Sequence, residues 1–542
     1  MYLLDDGIEK TCALVIDSNA TSRGVLCAHL RGFGVGTVRQ TGNLQDARNI
    51  LEHQVFDIIL CEHHFDRSPL SGPDLLADLR RAELLPYYTV FVMVTGEATY
   101  ARVTEAAETA LDSYLLKPYS ASSLGERLLE ARRRKRELKD IFEAIQAREF
   151  AAAAELCRER FTRRNAYWLY AARIGAELYL RIENHAAARQ MYDAVLEARA
   201  LPWARLGIAR TQVASGQLAP ARRTLDVLIG EMPDHADSYD VLGHVQIEQG
   251  ELQQALQTFR KAAELTPGSV TRLQHAGTLA FYAGESVEAL DLLDRAARMG
   301  VKSRLFDPLV LVLLAMLHFD TRDGKALAQT QSQLARLIDA SPDSERLRHF
   351  DRVLGALRVL HDRRVAAAVE LARDLALEHQ QPGFDMERGC NVIGLWVRLN
   401  SQEIQLDEMA GHVSAVARRL CVSKATCEML VAAAQAKDPA AALIRDSHAA
   451  VSALAERAMG HSLGGQPRLA AQMLLDDGEA TRNAKLIELA GLVAQRHRDK
   501  IDDSAELLSR AEALKQRYCQ GGAPAIGTPR RNRSAGGLTL RA

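Results

Sequence analysis

ADSYDVLGHVQIEQGELQQALQTFRKAAELTPGS, residues 236–269, decides how most of this chain folds. Tyr239, Leu242 and Gln246 fall on one helical stripe. After a break at Gly250, Ala255, Phe259 and Ala262 fall on a second. Gly243 and Ala255 are small, so the two helices can approach closely. Pro267 ends the second helix, because proline lacks an N–H and clashes with the preceding turn. The unit recurs. Gly216, Gly250 and Gly284 lie 34 residues apart, as do Ala221, Ala255 and Ala289. Pro233 and Pro267 share that spacing, and so do Gly243 and Gly277. A fixed period of this size marks a solenoid of stacked helix pairs.

The clearest copies are 202–235, 236–269 and 270–303. Upstream, Gly175, Ala187 and Ala194 stand 68 residues before Gly243, Ala255 and Ala262, which carries the register back toward Phe142. Downstream of Val301 the spacing fades. Asp339-Ala340-Ser341-Pro342 still marks a helix end, and His349–Asp362 with Arg364–Leu377 reads as a further pair. The solenoid is therefore placed at 142–384. Residues 385–516 stay helical without the period, as atypical repeats or a helical cap over the last apolar face. The repeat resembles the tetratricopeptide family. That resemblance implies a concave face, lined by the first helix of each pair, that holds a partner protein. Along it fall Trp203, Leu206 and Arg210, then Asp240 and His244, then Gln274, Thr278 and Phe281.

The N-terminal region has a different rhythm. Short apolar runs at Cys12–Ile16, Val35–Arg39, Asp57–Cys61, Thr89–Val94 and Tyr114–Leu116 alternate with helical stretches such as Ala20–Arg31 and Leu44–His53. Five buried strands alternating with helices imply an α/β doubly wound parallel sheet, spanning 1–131. Ligands of such sheets sit at the carboxyl ends of the strands. There the sequence places Asp17, Glu62, Thr95 and Lys117.

Leu14-Val15-Ile16-Asp17, Asp57-Ile58-Ile59-Leu60-Cys61-Glu62, Val92-Met93-Val94-Thr95-Gly96 and Tyr114-Leu115-Leu116-Lys117-Pro118 resemble the response-regulator receiver (CheY-like) family over about 120 residues. The resemblance implies strand order 2-1-3-4-5. It also implies an acid pair that helps hold Mg²⁺, an aspartate that accepts phosphate from a histidine kinase, and a Thr and a Lys that contact the phosphoryl group. This chain departs at two positions. The acid pair is reduced to Asp17-Ser18, and the phosphoacceptor position holds Glu62. Glutamate moves the carboxylate by one C–C bond, about 1.5 Å, and misplacing a reacting group by about 1 Å costs ~10²-fold in rate. Mg²⁺ favours carboxylates in strict octahedral geometry, and Ser18 removes one. The expectation is a degenerate receiver in which Glu62 pairs with Lys117, with no cofactor or at most weak Mg²⁺ through Asp17 and Glu62. Asp66 lies too far past the strand to substitute, and His63 and His64 read as solvated loop residues. The family's output face maps to Tyr100–Glu108, Ser113–Leu116 (with Tyr114) and Ala121–Arg136, facing the repeats, a histidine kinase or a second copy of the chain.

Arg132–Arg136 is the densest charge run, in a segment (132–141) that reads as a basic, solvated connecting helix. Val416–Thr426 resembles helix-turn-helix regulators, within a segment spanning 413–433. Cys421 replaces the usual turn glycine, and Lys424–Ala433 carries one basic residue and the acid Glu428. A helix pair of the solenoid is the preferred reading there, with a DNA-binding transcriptional regulator as an alternative. Residues 517–542 read as a disordered basic tail.

The chain has 542 residues and a net charge of −1, which gives no electrostatic case for nucleic acid or membrane. Phe306–Phe319 is apolar but too short to span a bilayer. Eight cysteines without a CxxC pair read as reduced thiols in a cytoplasm. No Walker loop, metal-ligand spacing or nucleophile elbow occurs. The sequence thus points to a non-enzymatic two-component adaptor or scaffold. A phosphorylatable regulator in a phosphorelay is the alternative within signalling.

Overall fold

The computed structural model describes residues 7–65, 71–72, 75–76, 79, 85–86, 88–96, 113–267, 269–301, 306–400, 408–435 and 439–519. Strands β1 (Cys12–Ile16), β2 (Thr37–Thr41), β3 (Ile58–Glu62), β4 (Val90–Thr95) and β5 (Ser113–Leu116) form one parallel sheet in the order β2-β1-β3-β4-β5. Their near-continuous apolar runs follow from coverage on both faces. Helix α1 (Ala20–Gly32) and α3 (Ala121–Glu137) bring Leu26, Leu30, Leu124 and Leu128 onto Val15, Leu60 and Val92. Helix α2 (Leu44–His53) brings Leu44 and Leu51 onto the other face, against Leu14, Ile59 and Phe91. The second strand sits two residues later than its apolar residues suggest. Val35 is buried under α1, and the exposed edge strand pairs Cys12 with Thr37.

Helix α3 runs through the basic segment. At Leu138 the backbone leaves helical geometry (φ −108°, ψ 18°), and α4 (Lys139–Gln146) begins. The run is not simply solvated, as expected, because its cations cover aromatic rings of the first repeats. Lys135 is buried 4.8 Å above the Phe142 ring, and Arg134 lies 4.7 Å above Tyr170. Arg160 donates to the Glu137 carbonyl.

From there the chain is helical: α5 (Phe150–Thr162), α6 (Trp168–Arg181), α7 (His185–Ala198), α8 (Pro202–Ala214), α9 (Leu218–Glu231), α10 (Ala236–Glu248), α11 (Leu252–Leu265), α12 (Val270–Tyr282), α13 (Ser286–Gly300), α14 (Leu309–Asp320), α15 (Gly324–Ala340), α16 (Glu345–His361) and α17 (Val365–Leu377). The three sequence repeats are the pairs α8/α9, α10/α11 and α12/α13. Gly216, Gly250 and Gly284 turn each first helix into its second at φ +71° to +82°, a conformation that costs a side chain strain. Then follow α18 (Met386–Asn400), α19 (Met409–Leu420), α20 (Lys424–Ala433), α21 (Pro439–Leu463), α22 (Pro467–Thr481), α23 (Ala484–Arg496) and α24 (Ser504–Tyr518).

Two helices are buried on every side. The apolar run of α14 is buried from Leu309 to Leu317, and α18 is buried from Gly389 to Leu399. A helix apolar all round belongs in an interior. Here α18 lies against the inner helices of the repeats. Arg398 pairs with Asp320 at the end of α14 (2.6 and 2.8 Å), and Gly394 meets Met316. No helix among the described residues is long and apolar enough to cross a membrane.

The helix pairs meet at glycine. A Cβ on Gly243 would strike the Phe259 ring, one on Gly207 the Tyr192 ring, and one on Gly277 would lie 2.8 Å from Leu293. Gly243→Ala should therefore lower stability by about 1–3 kcal/mol through overpacking. Gly355→Ala, mid-helix in α16 with open space at its Cβ, should raise it by about 0.5–1 kcal/mol. Paired thermal melts of the two variants check this; a Gly243→Ala protein as stable as wild type would contradict the close packing.

Candidate functional site

The carboxyl ends of β1, β3, β4 and β5 bring four residues together. Lys117 Nζ lies 2.9 Å from Glu62 Oε1 and 3.0 Å from Asp17 Oδ2. Ser18, where a second acid would stand, donates to Glu62 Oε2 through its hydroxyl (3.1 Å) and its N–H (3.3 Å). Asp17 is fully buried. Its Oδ2 also accepts from the Ser22 hydroxyl (2.6 Å), and its Oδ1 accepts from the Asn19 N–H (2.8 Å). Arg23 Nη1 donates to the Asp17 carbonyl at 2.6 Å. Thr95 is buried beside this group, and its carbonyl accepts from the Lys117 N–H (2.7 Å). Ser22 and Arg23 were not legible beforehand. They sit on an ordinary helix opening, and only the fold turns them toward Asp17.

The electrostatics follow from burial and proximity. Burial opposes the Asp17 carboxylate, but hydrogen bonds from Ser22 and the groups at Glu62 and Lys117 hold it below its ordinary value. Burial and the Asp17 charge push Glu62 up, with Lys117 opposing. Burial works against the Lys117 ammonium, yet Glu62 and Asp17 raise it above its ordinary value. The donor set suits Mg²⁺ poorly. Every carboxylate oxygen named here already accepts from a protein donor, one of them a cation, and Ser18 supplies no charge. Among the described residues, no group of three His, Cys, Asp or Glu is arranged to hold a metal.

Around the site, His63 is buried rather than solvated, because its backbone bridges Val94 and Gly72, whereas His64 is exposed. Tyr114 is half-buried against the sheet's core. Tyr100–Glu108 and Asp66 lie outside the described residues.

The inner face of the repeats differs from the expected row of partner-binding residues. Trp203 and Arg210 on α8 are half-exposed, with Tyr192 edge-on to Trp203 at 6.2 Å. Leu206 is core. Asp240 is tied to Arg272, itself 1% exposed, at 2.8 and 2.9 Å. His244 stacks edge-on with Phe259 and His275, and burial, then the neighbouring His275, pushes its pKa down to about 3. Gln274 is buried and accepts from the Asp307 N–H at 2.6 Å; Thr278 is buried. Phe281 packs on Tyr282 beneath Arg398 of α18. Leu206, Gln274 and Thr278 are thus buried and Phe281 is partly covered by Arg398 of α18, so these four do not form a free groove. Glu177 on α6, not singled out from sequence, is buried beside Arg173 and Arg210; burial raises its carboxyl to about 7.

The helix-turn-helix reading is also corrected. Helix α20 buries Cys427, Met429, Leu430, Val431 and Ala433, packs on α12, α18 and α21, and sets Ala425 against Gly250.

With this geometry in view, residues 13–129 match the response regulator receiver domain and residues 236–269 match the tetratricopeptide repeat. The chain joins a receiver domain to tetratricopeptide repeats. The receiver part is 29% identical over 115 residues to chemotaxis protein CheY-3 of Vibrio cholerae (21% of this chain, 86% of that one). It is equally similar to chemotaxis protein CheY of Pseudomonas aeruginosa (21% and 90%). A solved tetratricopeptide protein of Parabacteroides merdae overlaps 51% of this chain and 96% of its own, with 14% identity and a TM-score of 0.31. Both families are generally non-catalytic modules of signalling and protein interaction.

The ion triad generates a pH-resolved expectation. Asp17, whose pKa is lowered from 3.8, contributes stability above that value and loses it as pH falls further. Lys117, raised from 10.5, contributes below that value and loses it as pH rises further. Lys117→Met leaves two facing carboxylates without a counter-charge, which should cost about 2 kcal/mol near pH 7. The cost should shrink as pH falls through the raised Glu62 pKa, where that carboxylate takes up a proton and stops repelling Asp17. Protection of β1 and β3 amides from hydrogen exchange, corrected for intrinsic rate, reads this directly. A pH-independent deficit would contradict the triad.

Proposed function

We propose that this protein is a non-enzymatic signalling adaptor whose receiver is held in one state by an internal ion triad, and whose repeats hold a partner protein. The observation that carries the reading is Lys117 bound to both Glu62 and Asp17, with Ser18 completing the shell of Glu62. In this arrangement the Glu62 carboxylate occupies the reach of Lys117 that a phosphoryl group would need. Glu62 is also a hindered nucleophile: one oxygen accepts from an ammonium and the other from a hydroxyl and an N–H. A carboxylate whose charge is already compensated gains little from transfer of a phosphoryl group. Helix α3 then acts as a fixed lever into the repeats, because Lys135 and Arg134 are clamped on Phe142 and Tyr170.

The partner is assigned to the inner face of α6, α8 and α10. There Trp203 and Arg210 remain accessible, whereas α18 closes the later repeats. An apolar ring next to a cation suits an extended segment that carries both apolar and acidic side chains.

The test is phosphoryl uptake. The full chain would be incubated with a small-molecule phosphodonor and Mg²⁺ and its intact mass recorded, for wild type, Glu62→Asp and Glu62→Asp/Ser18→Asp. Wild type should gain no adduct. The double variant, with the acid pair and acceptor restored, should gain one phosphoryl group. A stoichiometric adduct on wild type that maps to this pocket would overturn the proposal and make the protein a regulated switch.

A further inference from the structure

A second site lies far from the receiver, among the last helices. The carboxyl end of α19, the amino end of α23, the end of α24 and the segment leading into α18 enclose a cleft of about 390 Å³. Asn483 fixes the junction. Its amide donates to the carbonyls of Arg418 (2.6 Å) and Arg419 (3.3 Å), and its oxygen caps α23 by accepting from the N–H groups of Lys485 (3.1 Å) and Leu486 (3.4 Å).

Three cations converge on this cleft: Arg419, Arg482 and Lys485. Arg419 is only 3% exposed. Its Nη1 donates to the carbonyls of His379 and Gln381 (2.7 Å for the latter), but its Nη2 is buried with no partner. Its guanidinium lies near the rings of Phe384 (5.3 Å) and Tyr518 (5.6 Å). Arg482, in a left-handed turn (φ 56°), leaves its buried Nε without a partner as well. Burial, then repulsion from Arg482, lowers the Arg419 pKa to about 10. Two acids also line the cleft. Asp385 turns one oxygen to the Arg388 N–H (2.9 Å), and Glu488 is exposed. Neither forms an ion pair with the three cations among the described residues.

Orphaned buried donors are costly, more so when charged. Like charges held together at a capped helix N-terminus, with Asp385 acting on Arg419 only through space and no ion pair formed, are an unfinished arrangement that an anion would complete. The volume lies in the range of small-molecule sites, roughly 300–1,000 Å³. We propose that this cleft binds a small phosphorylated molecule, its phosphate held by Arg419, Arg482 and Lys485 and its apolar body on Phe384, Leu489 and Tyr518. A carboxylate, with one charge and two oxygens, satisfies one guanidinium fork. A phosphate, with up to two charges and three free oxygens, matches three converging donors. The occupant ties α19 to α23 and α24, so it would brace the last helices against the solenoid.

Calorimetry on the full chain at constant ionic strength tests this, with inorganic phosphate, adenosine 5′-monophosphate and benzoate as probes. The nucleotide, a phosphate with an aromatic body, should bind at least about tenfold more tightly than phosphate or benzoate. Arg482→Gln should weaken it by about tenfold or more, and Arg482→Gln/Lys485→Gln should abolish binding with the far-UV spectrum unchanged. These positions are chosen over Arg419, which also holds the loop at His379. Tyr518→Ala should erase the nucleotide's advantage and leave phosphate binding in place. No saturable binding of phosphate or nucleotide below about 10 mM would overturn the proposal. So would unaltered binding in the double variant. Benzoate binding as tightly as the nucleotide would overturn the assignment to phosphate.

Discussion

Neighbouring helices in the repeat region approach each other at a residue without a side chain, and much else depends on that approach. Gly207 faces the ring of Tyr192, Gly243 that of Phe259, and Gly277 the side chain of Leu293. A large group on one helix fills the notch left by glycine on the other. The notch fixes the crossing of the helices, and a fixed crossing repeated through successive pairs produces a curved stack. Curvature makes the inner helices crowded: α12, α14 and α18 are buried over most of their length. Three buried or half-buried arginines there are paired with acids. Arg272 is satisfied by Asp237 and Asp240, Arg346 by Asp307 and Glu387, and Arg398 by Asp320. Each of these pairs joins elements well separated in sequence, so the same contacts that satisfy buried charge also set the register of the stack. Removing either partner would leave the other unpaired in an apolar interior, a far larger cost than the pair's net contribution.

The receiver meets a related problem with a different solution. Three ionisable side chains crowd the carboxyl end of the sheet, and their net charge is −1. Moving the second acid to serine and lengthening the third-strand acid to glutamate act together. The first removes a charge that would need a cation; the second extends a carboxylate to within 2.9 Å of the Lys117 ammonium. An aspartate at that position would end one methylene short. The site is thereby complete with protein atoms alone.

Much of this could be read in the sequence, and the exceptions have a common cause. Strand order was implied by the receiver resemblance, whereas the residues at the strand ends and the three regular repeats follow from apolar periodicity and from glycine at fixed spacing. The repeats continue beyond residue 303, but there the left-handed turn is made by Arg322 and Arg363, and upstream by Glu183, all with φ near +60°. With the glycine gone, the period disappears although the helix pairs do not. The inner face was misread for another reason. A stripe of residues on one helix says which way they point, not what arrives from elsewhere to cover them. Gln274 and Phe281 are met by Asp307 and Arg398, which lie 33 and 117 residues further along the chain. The run Cys390–Leu399 was the available signal. A helix so largely apolar must be enclosed, and here the inner helices of the repeats enclose it.

That enclosure bears on how a signal could pass through the molecule. A conformational change needs two arrangements of comparable free energy, and a ligand can shift them only through a difference in affinity. On the proposed reading the receiver pocket offers little such difference, because its ion triad is satisfied without a phosphoryl group. Helix α3 is clamped onto the first repeats by stacked cations, and the middle of the solenoid is packed around α14 and α18. The incompletely satisfied polar groups described here lie further on, at Arg419 and Arg482. A structure with its charges matched at one end and unmatched at the other has its reserve of interaction energy at the unmatched end. On the proposed reading, control by a small anion acts on the terminal helices, and its effect reaches the repeats through α18, which touches both α19 and the inner face of the stack.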